Sequence, residues 1–560
     1  MLPTSVDVVV MGSGAGGLTA AITAAKGGRS VLLVEKADVI GGTTAWSGGG
    51  VWAPNNHHMA SADEPDSPEQ AAAYLQAVLG NHYDADMAAA FVRNARTAVR
   101  FLEDNSRSVR FLSYPGSDYH PDLPGAARRA RTLLPRPFNG RDLGPWLKRL
   151  RRPKAEMTIF DGMQIETAEI KDFQSIFRSP AALARCLGLM GRYGLDRLRY
   201  GRSTRLIRGT ALAAALLEAA LEAGVDVRTG ETVTALIRRG GRIAAVEFDR
   251  PGGRVEVGVR HGVVMATGGF SAHPDLRSTH LPDVERHLQL LPDENAGDGL
   301  TLALRAGAVL GSGLGSPAIF TPASRRTRRD GRESVYPHFA FDRCKPGALL
   351  VDQSGRRFVN EAESYHTLVK RMHERGVSPA WLIGDHRFLR AYGMGLARPA
   401  PAPYRSFVRE GYLVQAPTLQ ALAARIGVDP QGLAQTAEEM NRFAETGVDE
   451  AFGKGSNIYT RLLGDAEHAP NPCLGPVRTA PFYALALWPT DVGTSLGLAI
   501  GPDGAVQDAE GAAIPGLYAA GLDAHAALRG YYPGAGTQLG QAIAFGYAAG
   551  RSLAGQPIAA

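Results

Sequence analysis

A chain of 560 residues is too long for one simple core, and two or three domains are expected. Apolar residues make up 44% and charged residues 21%, which suits a water-soluble globular protein and excludes a disordered or collagenous chain. Three cysteines, Cys186, Cys344 and Cys473, lie far apart and form neither a metal spacing nor a disulfide framework, so a reducing cytoplasm and no metal are expected.

The chain opens without a basic leader or cleavage site, and no uncharged apolar run is long enough to span a bilayer. Val6 to Met11 reads as a buried parallel strand. It breaks at Gly12, Gly14 and Gly17, spaced G-x-G-x-x-G, ahead of a small-residue helix. A second apolar run, Val31 to Val34, ends in Glu35. This strand, turn, helix and strand with a terminal acid is the dinucleotide-binding pattern. Gly12 permits the turn, Gly14 lets a pyrophosphate approach the backbone, and Gly17 lets helix and strand pack closely. The helix N-terminus offers N–H groups and partial positive charge to phosphate. Residues 41 to 56, GGTTAWSGGGVWAPNN, form a long glycine-rich loop with hydroxyls at Thr43, Thr44 and Ser47. A flavin needs such an extended backbone path and a nicotinamide cofactor does not.

Residues 67 to 105 read as amphipathic helices. Tyr114 and Tyr119 follow in a Pro/Gly loop. Residues 128 to 154 hold ten Lys or Arg against one acid, Asp142, so the formal net charge of +6 is local. Leu133, Leu134, Phe138, Leu143, Trp146, Leu147 and Leu150 are interleaved with them. The segment fits a solvated loop or a peripheral contact with an anionic membrane equally well. No nucleic-acid module accompanies it, so no nucleic-acid partner is expected. About 128 to 208 reads as a basic helical insertion. A helix, a strand and a hairpin around Arg239 follow. A buried strand then ends in Ala266, Thr267, Gly268 and Gly269, small enough to lie beside a cofactor. From about 291 to 486 the texture changes to a substrate-covering α+β domain. Short strands return before Gly521, and a helix begins near Gln538 and Leu539, where its N–H groups face a flavin. The expectation is α/β: a discontinuous Rossmann-like FAD-binding domain, 1–290 and 487–560, with an inserted catalytic domain at 291–486.

These blocks together resemble the flavoproteins of the fumarate reductase and succinate dehydrogenase superfamily, and within it the 3-ketosteroid Δ1-dehydrogenases. The resemblance rests on GSGAGG, VEK, GGTTAWSGGGVWAPNN, SDYHP, RFVNEAESY, PAWLIGD, NRFAETGVDEAFGKG, PNPCLGP, PGLYAAG and YYPGAGTQLG. It implies non-covalent FAD held by Gly12, Gly14, Ala15, Gly16, Gly17, Glu35, Lys36, Gly42, Thr43, Thr44, Ser47, Gly48, Gly49, Gly50, Val233, Ala266, Thr267, Gly268, Gly521 and Leu539. It also implies that Tyr532 and the Gly536 N–H hold a 3-keto oxygen as an oxyanion hole. Tyr365 would take the C2 proton while hydride leaves C1 for the flavin, with Tyr119 lowering the Tyr365 pKa. Electrons would pass to a quinone or similar acceptor. Two related reactions stay open, a fumarate-reductase-like turnover of a small dicarboxylate and Δ4-dehydrogenation of the same steroid ring. A flavin-binding sensor without turnover is the reading from another class. Leu522 to Gly530 depart from the family pattern, with Asp523, His525 and Arg529 as polar newcomers.

Overall fold

The computed structural model describes residues 2–250, 252–328, 330–339 and 342–557. The strand Ser5–Met11 lies at the centre of an eight-stranded sheet. It pairs in parallel with Val31–Glu35 on one side and with Gly253–Met265 on the other. Asp226–Thr229 and Ala513–Ala519 extend the parallel set outward. Val8, Val9 and Val10 are fully buried, as a strand covered on both faces requires. The hairpin of Val233–Arg239 and Arg242–Arg250 hangs antiparallel from Gly253–Met265.

Two small-residue helices pack on this sheet, Ala15–Lys26 and Thr537–Leu553. Their contact needs glycine. A Cβ on Gly546 would stand 2.4 Å from the Gly16 carbonyl oxygen. The C-terminal helix is thereby locked beside the first glycine turn. Helix Arg208–Glu222 also lies against Ala15–Lys26.

A second, six-stranded sheet is built on Phe482–Thr494, which pairs with Ala318–Thr327 and with Ala380–Asp385. The expected domain boundary at 486 falls inside that strand, which continues in this sheet to Thr494. Behind it, helices Leu419–Ile426 and Pro430–Thr446 pack over Leu349, Ile383 and Ala484 in a separate apolar cluster.

The basic stretch at 128–154 corrects the sequence reading. It contains no α-helix: Thr132–Pro135 pairs with Val51–Trp52 and Phe111–Ser113, and Gly140–Arg149 is a kinked 3₁₀ segment. Leu133, Leu143, Leu147 and Leu150 are buried in the main core, so the interleaved apolar side chains face inward. Arg131 is buried as well. It binds Asp66 and Asp118 at 2.7 Å each, with 2% or less of every partner's side chain exposed. Arg131→Met strands two buried carboxylates, and is expected to cost about 3–5 kcal/mol. Thermal unfolding of the purified variant, followed by circular dichroism, measures the loss. An unchanged midpoint contradicts it. α-Helix in the insertion is confined to Thr167–Gln174 and Pro180–Tyr200. Among the described residues no helix is long and apolar enough to cross a membrane.

Candidate active site

The first glycine turn has the geometry its spacing requires. Gly12 has φ +102°, a conformation that favours glycine. A Cβ there would also meet the Ala266 carbonyl oxygen at 2.1 Å. A Cβ on Gly17 would meet the Gly12 carbonyl oxygen at the same distance. Gly14 differs: a Cβ there would meet only Thr44 Oγ1, at an ordinary contact distance of 3.6 Å, so nothing crowds its free side. Gly42 and Gly48 are equally open. At these three positions the backbone is open to close approach, and together they make the candidate cradle for a phosphate-bearing cofactor.

The other expected FAD contacts surround this cradle or support it. Glu35 ends the second strand and accepts the Ser13 hydroxyl at 2.6 Å and the Ala37 N–H at 3.0 Å. Lys36 pairs with Asp298. Thr44 Oγ1 accepts the Ala15 N–H at 2.9 Å, and Thr43 Oγ1 accepts from Asn295 at 2.9 Å. The Ser47 hydroxyl is used inside its own loop, donating to the Thr44 carbonyl. Gly49 and Gly50 are close-packed, the first on Arg208 and the second beside Thr132 and Ala535. Gly16 meets Gly521, and Gly268 abuts Asn295. Val233 begins the hairpin and is buried. Ala266 and Thr267 directly follow the central strand Gly253–Met265. Leu539 lies in the first turn of helix Thr537–Leu553. Beside it the Gln538 side-chain nitrogen is buried without a hydrogen-bond partner. Gln538, Gly521, Leu522 and His525 line one cavity. Open backbone at the glycine turn, together with the orphaned buried amide of Gln538, fits a long polar cofactor of the FAD type.

Asp523 proves to be a structural clamp. Fully buried, it accepts the Thr267 hydroxyl at 2.8 Å and the Gly269 N–H at 2.8 Å. Arg529 is held by Asp84 and the Ser312 carbonyl. His525 bonds the same carbonyl through Nε2, with Nδ1 left unpartnered.

Tyr119 and Tyr532 from two distant loops and Tyr365 from the start of a helix come into one cluster. Their ring centroids are 5.4–6.0 Å apart. Tyr119 N–H donates to the Pro533 carbonyl at 2.8 Å, which fixes the SDYHP loop against YYPGAG. Tyr74 donates to that same carbonyl at 2.7 Å. Tyr365 is the first residue of helix Tyr365–Arg375, capped by Ser364. Gly536 has φ +89°, and a Cβ there would strike the Gly50 carbonyl oxygen at 2.1 Å. This tight contact turns its N–H toward the Tyr532 hydroxyl, 3.3 Å away. The Gly536 N–H thus donates to the Tyr532 oxygen, and the two polar groups lie together beside the N-terminus of the C-terminal helix.

Burial holds Tyr365 well above the usual tyrosine range, and Tyr119 and Tyr532 push it further up. The sequence reading has Tyr119 lowering it. The direction reverses because a phenol that donates to a neighbouring phenol keeps its proton more tightly. His366, next in sequence, turns away: its Nδ1 accepts the Phe320 N–H at 3.2 Å.

Three further residues belong to this cluster. Tyr459 packs on Tyr119 at 4.7 Å, and Phe339 lies edge-on to Tyr365 at 5.1 Å. Arg343 is fully buried and donates to the carbonyls of His338, Phe339, Glu361 and Glu363. It staples the Phe339 segment to the Tyr365 segment, and its charge pulls Tyr119 and Tyr459 downward against burial. None of the three stands in a motif that sequence reasoning could assign; a lone buried Arg in DRCKP carries no spacing signal.

Residues 7–539 match the model of the FAD binding domain family. The chain is 37% identical to a 4-oxocyclohex-2-ene-1-carboxylate 5-dehydrogenase of Sinomonas cyclohexanicum, over 98% of this chain and 93% of that protein. It is 33% identical to a 3-oxosteroid 1-dehydrogenase of Mycolicibacterium smegmatis, over 98% of this chain and 97% of that protein. Its structure superposes on the crystal structure of 3-ketosteroid Δ1-dehydrogenase from Sterolibacterium denitrificans in complex with 1,4-androstadiene-3,17-dione. That match has a TM-score of 0.89 and 33% identity, over 99% of this chain and 100% of the other. The cradle, the fold and these matches agree, and the chain belongs to the FAD-binding flavoprotein family that includes the 3-ketosteroid Δ1-dehydrogenases.

Proposed function

We propose that the protein is an FAD-dependent dehydrogenase that introduces the C1–C2 double bond into a 3-ketosteroid. The observation that carries this reading is the meeting of Tyr119, Tyr365, Tyr532 and the Gly536 N–H in one buried cluster. Bound FAD supplies the hydride acceptor. The Tyr532 hydroxyl and the Gly536 N–H hold the 3-keto oxygen and stabilise charge that develops there as C2 loses its proton. Tyr365 receives that proton. Tyr119 and Phe339 fix the Tyr365 ring, and Arg343 keeps both supporting loops in register. The FAD-binding domain is the part built on the eight-stranded sheet, and the catalytic domain the part built on the six-stranded one. Electrons then leave to a quinone or similar acceptor.

Anaerobic mixing with androst-4-ene-3,17-dione tests this reading. The flavin band bleaches and mass spectrometry finds the Δ1 product. A flavin that stays oxidised overturns the steroid assignment. The Sinomonas relative favours a second reading, in which the same chemistry acts on a monocyclic 4-oxocyclohexene carboxylate. Running that substrate in parallel separates the two. Tyr532→Phe removes one oxyanion donor and is expected to lower kcat about 10²–10³-fold with the flavin still bound. Stopped-flow reduction at saturating substrate measures it, and an unchanged rate removes Tyr532 from the role.

A lipophilic substrate also suits a peripheral membrane contact, but not through 128–154. The better surface is helix Pro180–Tyr200 and its approach. Phe177 is 82% exposed, Leu195 69% and Leu198 86%. Arg192, Arg197 and Arg199 are exposed on the same helix. Apolar and basic side chains together suit the interface of an anionic bilayer. Co-sedimentation is expected with anionic vesicles and not with zwitterionic ones. A Leu195→Ser/Leu198→Ser double variant should stay in the supernatant; its full co-sedimentation places the contact elsewhere.

A further inference from the structure

We propose that His57, His58 and Glu103 form a binding site for a zinc-class divalent cation, separate from the flavin and tyrosine sites. Among the described residues this is the one place where three metal-ligating side chains converge, with all their donor atoms within 4.8 Å of one another. Glu103 Oε2 lies 2.8 Å from His57 Nε2 and 2.9 Å from His58 Nε2. The two imidazole rings are 4.3 Å apart and tilted by 36°, so both ε nitrogens face the same oxygen. In this arrangement each ε nitrogen shares a proton with the carboxylate oxygen. A cation that replaces those protons needs ligand bonds of about 2.0–2.2 Å, and hence ligand–ligand edges of roughly 3.3 Å. To reach that edge the two nitrogen–oxygen contacts open by about half an ångström each.

The supports for this cluster are already in place. The other carboxylate oxygen of Glu103 accepts the Phe111 N–H at 2.9 Å, which fixes the plane of the carboxylate. Arg110 caps the end of the same helix by donating to the Glu103 carbonyl at 2.8 Å. On the other side, Asn56 pins the backbone that carries both histidines. Its Oδ1 accepts the His58 N–H at 2.9 Å, and its Nδ2 donates to the carbonyls of Ala53 and Ala130. The Glu103 carboxylate and the His58 backbone are thus held in place, while His57 Nδ1 is buried without a hydrogen-bond partner. His57 and His58 side chains are 33% and 23% exposed, which leaves a path for the ion and a solvent-facing fourth position. Two nitrogens and one carboxylate oxygen select Zn²⁺ or Co²⁺ over Mg²⁺ and Ca²⁺, which take oxygen ligands.

The site ties two parts of the fold. His57 directly follows the glycine-rich loop at 41–56, and Glu103 ends helix Ala85–Asn105, which packs against Thr537–Leu553. The ion therefore cross-links the end of that loop to the helix layer, and by mass action it stabilises the folded state.

The test is a titration of the FAD-loaded protein with Zn²⁺ by calorimetry, paired with thermal unfolding. One equivalent is expected to bind, with a midpoint that rises as Zn²⁺ is added and does not respond to Mg²⁺. His57→Gln and Glu103→Gln are each expected to weaken binding at least tenfold and to remove the thermal response. Co²⁺ gives a reading without any variant: four-coordinate binding produces d–d absorbance to the red of the flavin bands. Absence of saturable binding, a weak octahedral Co²⁺ spectrum, or undiminished affinity in both variants overturns the proposal. The last result would point to the His287–His373 pair, whose ε nitrogens are 3.0 Å apart.

Discussion

Tyr365→Phe is expected to reduce flavin reduction by substrate about 10²–10⁴-fold, the range a positioned general base supplies. The variant should still purify yellow, because Tyr365 lies in the tyrosine cluster and not in the glycine cradle. The wild-type pH profile should carry the same signature. Burial and two neighbouring phenols hold Tyr365 above the usual tyrosine range, so it is protonated at neutral pH. A base works only in its deprotonated form. The rate should therefore climb with pH, approaching tenfold per unit below the pKa of the base. Phenylalanine keeps the ring packing on Phe339 and Tyr532 and deletes only the hydroxyl, so a large fall in rate with an unchanged thermal midpoint reads the proton transfer alone. A flat profile from pH 6 to 9 together with a Tyr365→Phe rate within a few-fold of wild type would remove Tyr365 as the base.

The parts legible in the sequence are those in which local chemistry and tertiary structure coincide. The first glycine turn, the strand ending in Glu35 and the strand ending in Ala266 each declare themselves through spacing, because a backbone approach permits few residue types. The basic segment misleads for the opposite reason. Arginine beside leucine reads as amphipathic. Periodicity does not record that Arg131 finds two acids from distant loops, or that Leu133 and Leu147 turn inward between them. Asp523 misleads in the same way. A carboxylate near a flavin looks redox-active until its acceptors are seen to be filled by Thr267 and Gly269. Arg343 and Tyr459 were beyond reach, since their partners are backbone carbonyls and a ring from other parts of the chain. Burial dominates the Tyr365 pKa and is a property of the assembled fold, which no motif records.

The second large effect separates two glycines that look alike in the motif. Gly14→Val is expected to fold and to purify without colour. Its φ of −71° suits any residue, and its nearest side-chain neighbour is 3.6 Å from the new Cβ, so the protein alone tolerates the change. The new methyl groups project into the cradle where a pyrophosphate must approach the backbone, and the FAD stoichiometry should fall at least tenfold. Gly12→Ala should fail earlier. Its φ of +102° lies where side chains are rarely found, and its Cβ would stand 2.1 Å from a main-chain carbonyl oxygen that cannot move without breaking the central sheet. Native circular dichroism without flavin for Gly14→Val, against insoluble or unfolded Gly12→Ala, assigns one glycine to the cofactor and the other to the fold. A yellow, stoichiometric Gly14→Val protein would move the pyrophosphate away from this turn. The open side of Gly14 would then need another occupant, and the roles of Gly42 and Gly48 in the same cradle would fall with it. The smaller side chain, at Gly12, is the one expected to break the fold, so the contrast tests placement and not size.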